Sequence, residues 1–315
     1  MSDDDPPARA GADAAPVTAA VDVTVVVSTL DRPEVLSRCL AALRTGAVLP
    51  SRVVVVDQGR ARPAEAAVEA ARALGLPVDL VEQPRLGLSA SQNAGVAAAS
   101  TPVVAIVDDD CVPDRQWVRV VQEAFAGSRG PLLLTGRVLP LPPVGDRTVA
   151  VSTRDGGQLL EWSGPPAPMP WHLGTGGNFA VTRAAYLEVG GNDERLGTGS
   201  PGRGGNDLDL FSRLVAAGVP ARYDPALLVH HERSTAAGHR SRRWTYGFGV
   251  GAVVGLGLRA RRADALAVLA GWVRLRVQVL RHRRGPALQD EARVLAGTVA
   301  GLVYGLRAAP VGPRD

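Results

Sequence analysis

The apolar positions of this chain follow two rhythms. Residues 21–33 (VDVTVVVSTLDRP) open with a β-branched run, and similar runs follow at 52–59 (RVVVVDQG), at 78–82 and over 103–112. Short valine-rich runs bounded by proline, glycine or aspartate predict strands buried on both faces, as in a parallel sheet. Between them the spacing becomes helical. Val35, Leu36, Cys39, Leu40 and Leu43 share one face behind Pro33, and a second helix over 63–74 leads to Gly75. Strands alternating with helices imply right-handed βαβ crossovers, hence an α/β protein with a mostly parallel sheet and helices on both faces.

A helix over 114–126 and a strand over 132–139 continue the pattern, which then dissolves into a Pro- and Gly-rich region at 140–170 with Trp162 and Trp171 around its end. Loops of that length are usually functional or disordered, and either indole could stack on a sugar ring or cover the core. Residues 172–218 and a strand leading to His230 and His231 complete the α/β part, and 250–309 has a helical pattern. The expected organisation is a disordered tail over 1–20, an α/β domain over 21–235 and a helical extension over 236–315. The acidic, Pro/Ala-rich start has neither the basic nor the apolar segment of a signal peptide and reads as a tail.

Composition narrows the chemistry. Hydrophobic residues make up 46% of the 315 positions, enough for a sizeable core, and the formal charge is +4. All the cationic side chains other than histidine are arginine; the absence of lysine excludes a catalytic lysine. Cys39 and Cys111 offer neither a disulfide framework nor a zinc pattern, so they are expected to be buried thiols in a reducing, cytoplasmic setting.

The candidate chemistry lies where the fourth strand ends. Bounded by Thr101-Pro102 and Pro113, that strand runs into Asp108, Asp109 and Asp110. The C-terminal ends of parallel strands border the ligand crevice, and clustered carboxylates repel unless a cation compensates them. Asp108 and Asp110 could share a hard divalent ion, Mg²⁺ or Mn²⁺, with phosphate oxygens completing its shell; a solvated acidic turn is the alternative. Asp31 and Asp57, after the first and second strands, fall on the same edge. Between the strands Arg85, Gly87, Ser89, Gln92, Asn93 and Gly95 offer a guanidinium, small residues and amides near a helix start, suited to a phosphate or a sugar or, taken singly, to caps and turns.

In their order, VVVSTLDRP, VVVVDQG, PRLGLSASQNAG and VDDDC resemble a family 2 glycosyltransferase with the nucleotide-sugar-binding GT-A fold. The resemblance implies that Thr29, Asp31 and Asp57 contact the nucleoside, that Asp108, with Asp109, meets the ribose or donor sugar, and that Asp110 binds the metal. It also implies donor contacts from Arg85, Gly87, Gln92 and Asn93. Residues 172–218 resemble the family's second half, with Gly205-Asn206-Asp207-Leu208-Asp209-Leu210 where the family opens a helix with G-E-D-x-D-L. The implied general base is Asp207 and the implied reaction inverts the anomeric centre; a plain helix cap is the other role for this residue. His231 fits a family histidine that completes the metal site. Two departures stand out: Gln92 replaces a common arginine and Asn206 replaces a glutamate.

The expected donor is a UDP, dTDP or GDP sugar and the acceptor a glycan, lipid or small molecule. A sugar nucleotidyltransferase is disfavoured because VSTLDRP lacks a glycine-rich loop and the chain lacks lysine. A non-catalytic sugar-nucleotide or glycan-binding relative is the rival motivated by Gln92 and Asn206. RSRRWTYGFG at 240–249 faintly matches a Q-x-x-R-W motif, which would bring Arg243 and Trp244 over the diphosphate, or else is a surface helix. Arginines among the apolar stretches of 250–309 suit peripheral contact with an anionic inner membrane face or a solvated basic surface. Nucleic acid is not an expected partner, because aromatic and basic residues are not interleaved.

Overall fold

The computed structural model describes residues 21–143, 148–282 and 284–309. The expected disordered tail over 1–20 lies outside the described residues. The first half runs β1 (Val23–Thr29), α1 (Pro33–Arg44), β2 (Arg52–Asp57), α2 (Glu65–Ala73), β3 (Val78–Glu82), α3 (Leu88–Ala98) and β4 (Val103–Val107). Then come β5 (Cys111–Pro113), α4 (Trp117–Ala126), β6 (Leu133–Pro140), β7 (Thr148–Val149), β8 (Leu160–Trp162), α5 (Pro170–Leu173), β9 (Asn178–Thr182) and α6 (Arg183–Glu188). The chain continues through α7 (Asn206–Ala216), β10 (Ala221–His231), β11 (Ser234–Thr235), α8 (Ala236–Arg259), α9 (Ala265–His282) and α10 (Pro286–Arg307).

The central sheet has the order β3-β2-β1-β4-β9-β6-β10-β5, with β8 also paired to β10. Its β3-β2-β1-β4 half is parallel, in register from Thr29 beside Asp57 to Val23 beside Val103. The insertion of β9 antiparallel between β4 and β6 brings the second half of the chain against the first. All of β4 and nearly all of β1 are buried, as their unbroken apolar runs require. On one face Leu36, Cys39, Leu40 and Leu43 of α1 join α2 and α4; on the other, Val96 of α3 and Leu210, Phe211 and Leu214 of α7 form a second core.

A buried polar knot holds the two halves of the sheet together. The Trp117 indole N–H donates to Asn178 Oδ1 at 2.8 Å, and the Asn178 amide donates to the carbonyls of Arg137 and Leu227 at 3.0 and 2.8 Å. Satisfying each group makes its burial affordable. The long loop after β6 is pinned at intervals: β7 pairs with β11, β8 pairs with β10, and Val138 bridges Arg154. Trp162 packs on the second core, and Trp171 meets Trp272 edge-on at 5.8 Å.

The C-terminal helices form a layer of their own. Gly247, Gly251 and Gly255 of α8 face Gly297, Gly301 and Gly305 of α10, and a Cβ at Gly251 would lie 2.0 Å from the Thr298 carbonyl oxygen. Small residues let helix backbones touch, and here they do. Glu291 of α10 is fully buried and bound by Arg243 of α8 at 2.6 Å and Arg276 of α9 at 3.1 Å. Both acceptor oxygens are paired, so the buried charge is compensated.

Candidate active site

β1 and β4 deliver their ends to one cleft. Thr29 is buried and its hydroxyl donates to Asp109 Oδ2 at 2.7 Å. Arg32, in the turn after β1, donates to the other oxygen of Asp109 and to Asp110 Oδ2 at 3.1 Å. Between β4 and β9, the facing glycine Gly177 leaves room for Asp108: a Cβ there would sit 2.5 Å from Asp108 Oδ2.

α7 supplies the opposite wall. Its entry residue Gly205 has φ +79, a left-handed conformation natural to glycine. Two residues on, the Asp207 carboxylate accepts N–H bonds from Gly176 and Leu208, each at 2.9 Å. Gly176 and Gly177 thus lie between the two acidic walls, and the Gly-rich stretch before β9 lets Asp207 and Asp108 approach the same space. Asp209 is engaged elsewhere, paired with Arg213 at 2.7 Å and with Arg262.

The third wall comes from Thr245, Tyr246 and Val250 of α8, Trp272 of α9 and Trp171 of α5. Together the walls enclose about 670 Å³, within the range usual for small-molecule sites. One side is carboxylate-rich and the other aromatic.

Burial governs the electrostatics. Asp108 is pushed up to about 8 by burial and then by Asp110 and Asp109, while burial takes Asp109 to about 6 against the opposing pull of Arg32 and Thr29. Burial also raises Asp207, although the Leu208 and Gly176 N–H groups favour its charged form. Burial works against the Arg32 charge, yet Asp109 and Asp110 outweigh it. The carboxylates therefore carry more negative charge than Arg32 alone relieves, and a cation or a proton is favoured among them.

The donor set fits a divalent cation. Asp110 Oδ1 is buried without a hydrogen-bond partner among the described residues and faces His231 Nε2 at 3.5 Å. His231 Nδ1 lies 2.6 Å from the Glu232 carbonyl; a carbonyl only accepts, so in the neutral ring Nδ1 carries the proton and Nε2 presents its lone pair. The Cys111 sulfur is within 4.8 Å of both ligand atoms, but burial raises its thiol pKa well above the ordinary value, which makes it a poor ligand.

Thr29, Arg85, Gly87, Asp108, Asp109, Asp110, Asp207 and His231 all line the cavity; Asp31, Asp57, Gln92 and Asn93 do not. Asp57 is buried, its two oxygens accepting the N–H groups of Gly59 and Ala64 at 2.7 and 3.1 Å, while Asp31 Oδ1 accepts from Arg60 N–H at 3.2 Å. Gln92 and Asn93 brace the glycine-rich loop from behind: Asn192 donates to Gln92 Oε1 at 2.8 Å, and Asn93 donates to the Asn192 carbonyl at 3.0 Å. Arg243 is committed to Glu291, and Trp244 stacks on Phe248 at 4.9 Å, so neither reaches the cleft. Sequence reasoning passed over Arg32, Gln58, Arg203, Arg242 and Tyr246, which all line it. Gln58 fixes the approach to α3 by accepting the N–H groups of Leu86 and Gly87 at 2.6 and 2.9 Å. For Arg32 and Gln58 the available signal was their position just beyond strands that end at the cleft.

Comparison with known proteins identifies the family and the fold. Residues 24–133 match the family model described as Glycosyl transferase family 2. The chain is 32% identical over 222 residues to the pre-mycofactocin glycosyltransferase of Mycobacterium tuberculosis, covering 68% of this chain but only 43% of that protein. An uncharacterized glycosyltransferase of Mycobacterium bovis is 32% identical over 199 residues, covering 62% of this chain and 80% of its own length. Among solved structures, the mannosyltransferase PcManGT from Pyrobaculum calidifontis, in complex with GDP-Man and Mn²⁺, superposes with a TM-score of 0.56 at 18% identity, covering 94% of this chain and 90% of that one. S. aureus TarS in complex with UDP-GlcNAc gives 0.56 at 15% identity over 91% and 76%. These likenesses show the GT-A fold, and the sequence relationships place the chain in the glycosyltransferase family 2.

Proposed function

We propose that the chain transfers a sugar from a nucleotide-diphosphate donor to an acceptor hydroxyl with inversion at the anomeric carbon. The observation that carries this reading is the placement of Asp207, held by two backbone N–H groups at 2.9 Å on the wall of the cleft opposite Asp108–Asp110. In its ionised form it takes the proton of the attacking hydroxyl. Asp209 is bound by two arginines, so this helix turn offers one base, which suits a single in-line displacement. Thr29, Arg85, Gly87, Asp108 and Asp109 lie where a nucleotide sugar would be bound; Asp31, Asp57, Gln92 and Asn93 would act by shaping the loops around it. Asp110 and His231 would hold Mn²⁺ or Mg²⁺, which supplies charge neutralisation for a departing diphosphate.

The presence of GDP-Man with Mn²⁺ in the Pyrobaculum structure and of UDP-GlcNAc in TarS supports a GDP or UDP sugar donor here, with dTDP sugars the remaining class. The aromatic wall would receive a glycan, lipid or small-molecule acceptor. Buried free thiols at Cys39 and Cys111 suit a reducing, cytoplasmic setting, and a peripheral position at the inner membrane face through the C-terminal helices is part of the reading. Calorimetric titration with UDP, GDP and dTDP, with and without Mn²⁺, tests it on the wild type and Asp110→Ala. One nucleotide should bind in a metal-dependent way that Asp110→Ala abolishes; binding of none of them under either condition would remove the donor site.

A further inference from the structure

α10 buries one side and leaves the other apolar. Its inward positions are the seam glycines, Glu291, Val294 and Thr298; its outward positions include Leu288, Leu295, Val299, Val303 and Leu306, with Val299 62% exposed. Spaced by seven, four, four and three, these residues form one stripe about 27 Å long at 1.5 Å per residue. α9 runs antiparallel beside it, with Trp272 hydrogen-bonded to Thr298 and Arg276 paired with Glu291. It too has apolar residues exposed: Leu266, Val273 and Val277. Exposed apolar residues aligned along a helix in this way mark a candidate interaction site.

The charges on these two helices are predominantly positive. Arg274 and Arg281 lie on α9 next to and one turn beyond Val273 and Val277, and Arg307 follows Leu306 at the end of the stripe on α10. α9 contains no acidic residue. The acids of α10 are paired, Asp290 with Arg293 and Glu291 with Arg243 and Arg276. A second copy docked here about a two-fold axis would set arginine rim against arginine rim. A negatively charged lipid surface offers both things the helices present a need for, an apolar layer and anionic headgroups. No helix among the described residues is long and apolar enough to cross a membrane.

We infer that the outward faces of α9 and α10 form a docking surface for an anionic membrane, with the stripe from Leu288 to Leu306 entering the acyl boundary and the arginines meeting the headgroups. The inference rests on the peripheral position proposed above and is independent of the chemistry of the cleft. The test is co-sedimentation of the full chain with phosphatidylcholine vesicles, with and without phosphatidylglycerol, for the wild type, Val299→Glu and the double variant Arg274→Gln/Arg281→Gln. The wild type should bind the anionic vesicles tighter than the neutral ones by roughly tenfold or more, and salt should weaken that preference. Val299→Glu should weaken binding by roughly tenfold while keeping the wild-type unfolding midpoint; the arginine pair, which touches no core, should lose most of the anionic preference. Equal binding to both vesicle types, wild-type binding by both variants, or a lipid-free dimer that Val299→Glu dissociates would overturn the inference. Nucleotide titration of the same samples without vesicles reads the cleft alone, so a failed dock and a failed donor site give different results.

Discussion

Asn206 Nδ2, on the lining of the cleft, lies 3.4 Å from Gln92 Oε1 behind it. Both positions stand out in the sequence, where the family resemblance implies a glutamate in place of Asn206 and an arginine in place of Gln92. Read separately, Gln92 implies an altered donor contact, and Asn206 the loss of one of two adjacent acids, tolerable where Asp207 alone is the base. In the structure the two amides face each other, a buried pair that carries no net charge.

That pairing predicts non-additivity. Asn206→Glu alone places an unpaired carboxylate in a buried site and should destabilise the fold by about 3 kcal/mol, while Gln92→Arg/Asn206→Glu should recover at least about 1 kcal/mol of the summed single-variant losses. Denaturant unfolding of both single variants and the double variant measures the coupling.

Asp207→Asn should lower kcat by about 10²–10⁴-fold and leave nucleotide affinity unchanged, as single-turnover assays and calorimetry would show. Transfer at its normal rate in this variant would eliminate Asp207 as the base.

Burial raises the Asp207 pKa, and the sign of the consequence differs for rate and stability. In the proposed role Asp207 works only when ionised, so activity should be lost as pH falls through the raised pKa, and the acid limb of the rate profile should lie above that of an ordinary aspartate. The folded state binds this proton more tightly than the unfolded chain, so the associated stability is fully present below the unfolded pKa and lost as pH rises through the folded one. Melting temperatures of the wild type and Asp207→Asn, compared across that interval, should separate as pH rises.

Arg32 spans Asp109 and Asp110 through ion pairs, although its side chain is 47% exposed. With a metal held at Asp110 as proposed, Arg32 would compete for the same carboxylates. Arg32→Ala should therefore tighten nucleotide-free Mn²⁺ binding by about twofold to fivefold, the scale of a partly exposed pair; unchanged affinity in a Mn²⁺ titration would argue against that competition.

Adding a side chain to the helix seam should be costly. The Cβ of Gly251→Val would lie 2.0 Å from the Thr298 carbonyl oxygen, and overpacking of this kind destabilises by about 3 kcal/mol or more. Thermal unfolding of Gly251→Val, with Gly75→Val as a comparison where nothing lies within 4 Å but φ is +89, should separate seam crowding from backbone strain.

The parallel half of the sheet was legible because Val53–Val56 and Val103–Val107 are buried on both sides and write that burial as unbroken apolar runs. The aspartate triplet could be read for the same reason, since it interrupts such a run at the crevice. The insertion of β9 between β4 and β6 was not legible: strand order depends on long-range pairing, and Asn178–Thr182 looks locally like any other strand. Asp57 shows the limit of reading chemistry from position. It ends its strand at the expected edge, but two backbone N–H groups at 2.7 and 3.1 Å claim its carboxylate, and no sequence spacing distinguished that fate from ligand binding. The glycine seam was visible as a repeat every four residues along 247–255 and 297–305, but only the paired helices show what it is for.

The contact between Gly205 and Gly249 gives the C-terminal layer a grip on the wall of the cleft. A Cβ on Gly205 would come within 2.9 Å of the Gly249 carbonyl oxygen, and one on Gly249 would come within 2.8 Å of Gly204. The turn that aims Asp207 therefore rests directly on the backbone of α8, with no side chain between them to absorb a shift. α8 is in turn fused to α10 along the seam. The position of the Asp207 carboxylate is therefore tied, through main chain alone, to the helices that begin at Ala236 as well as to the sheet that bears the aspartates.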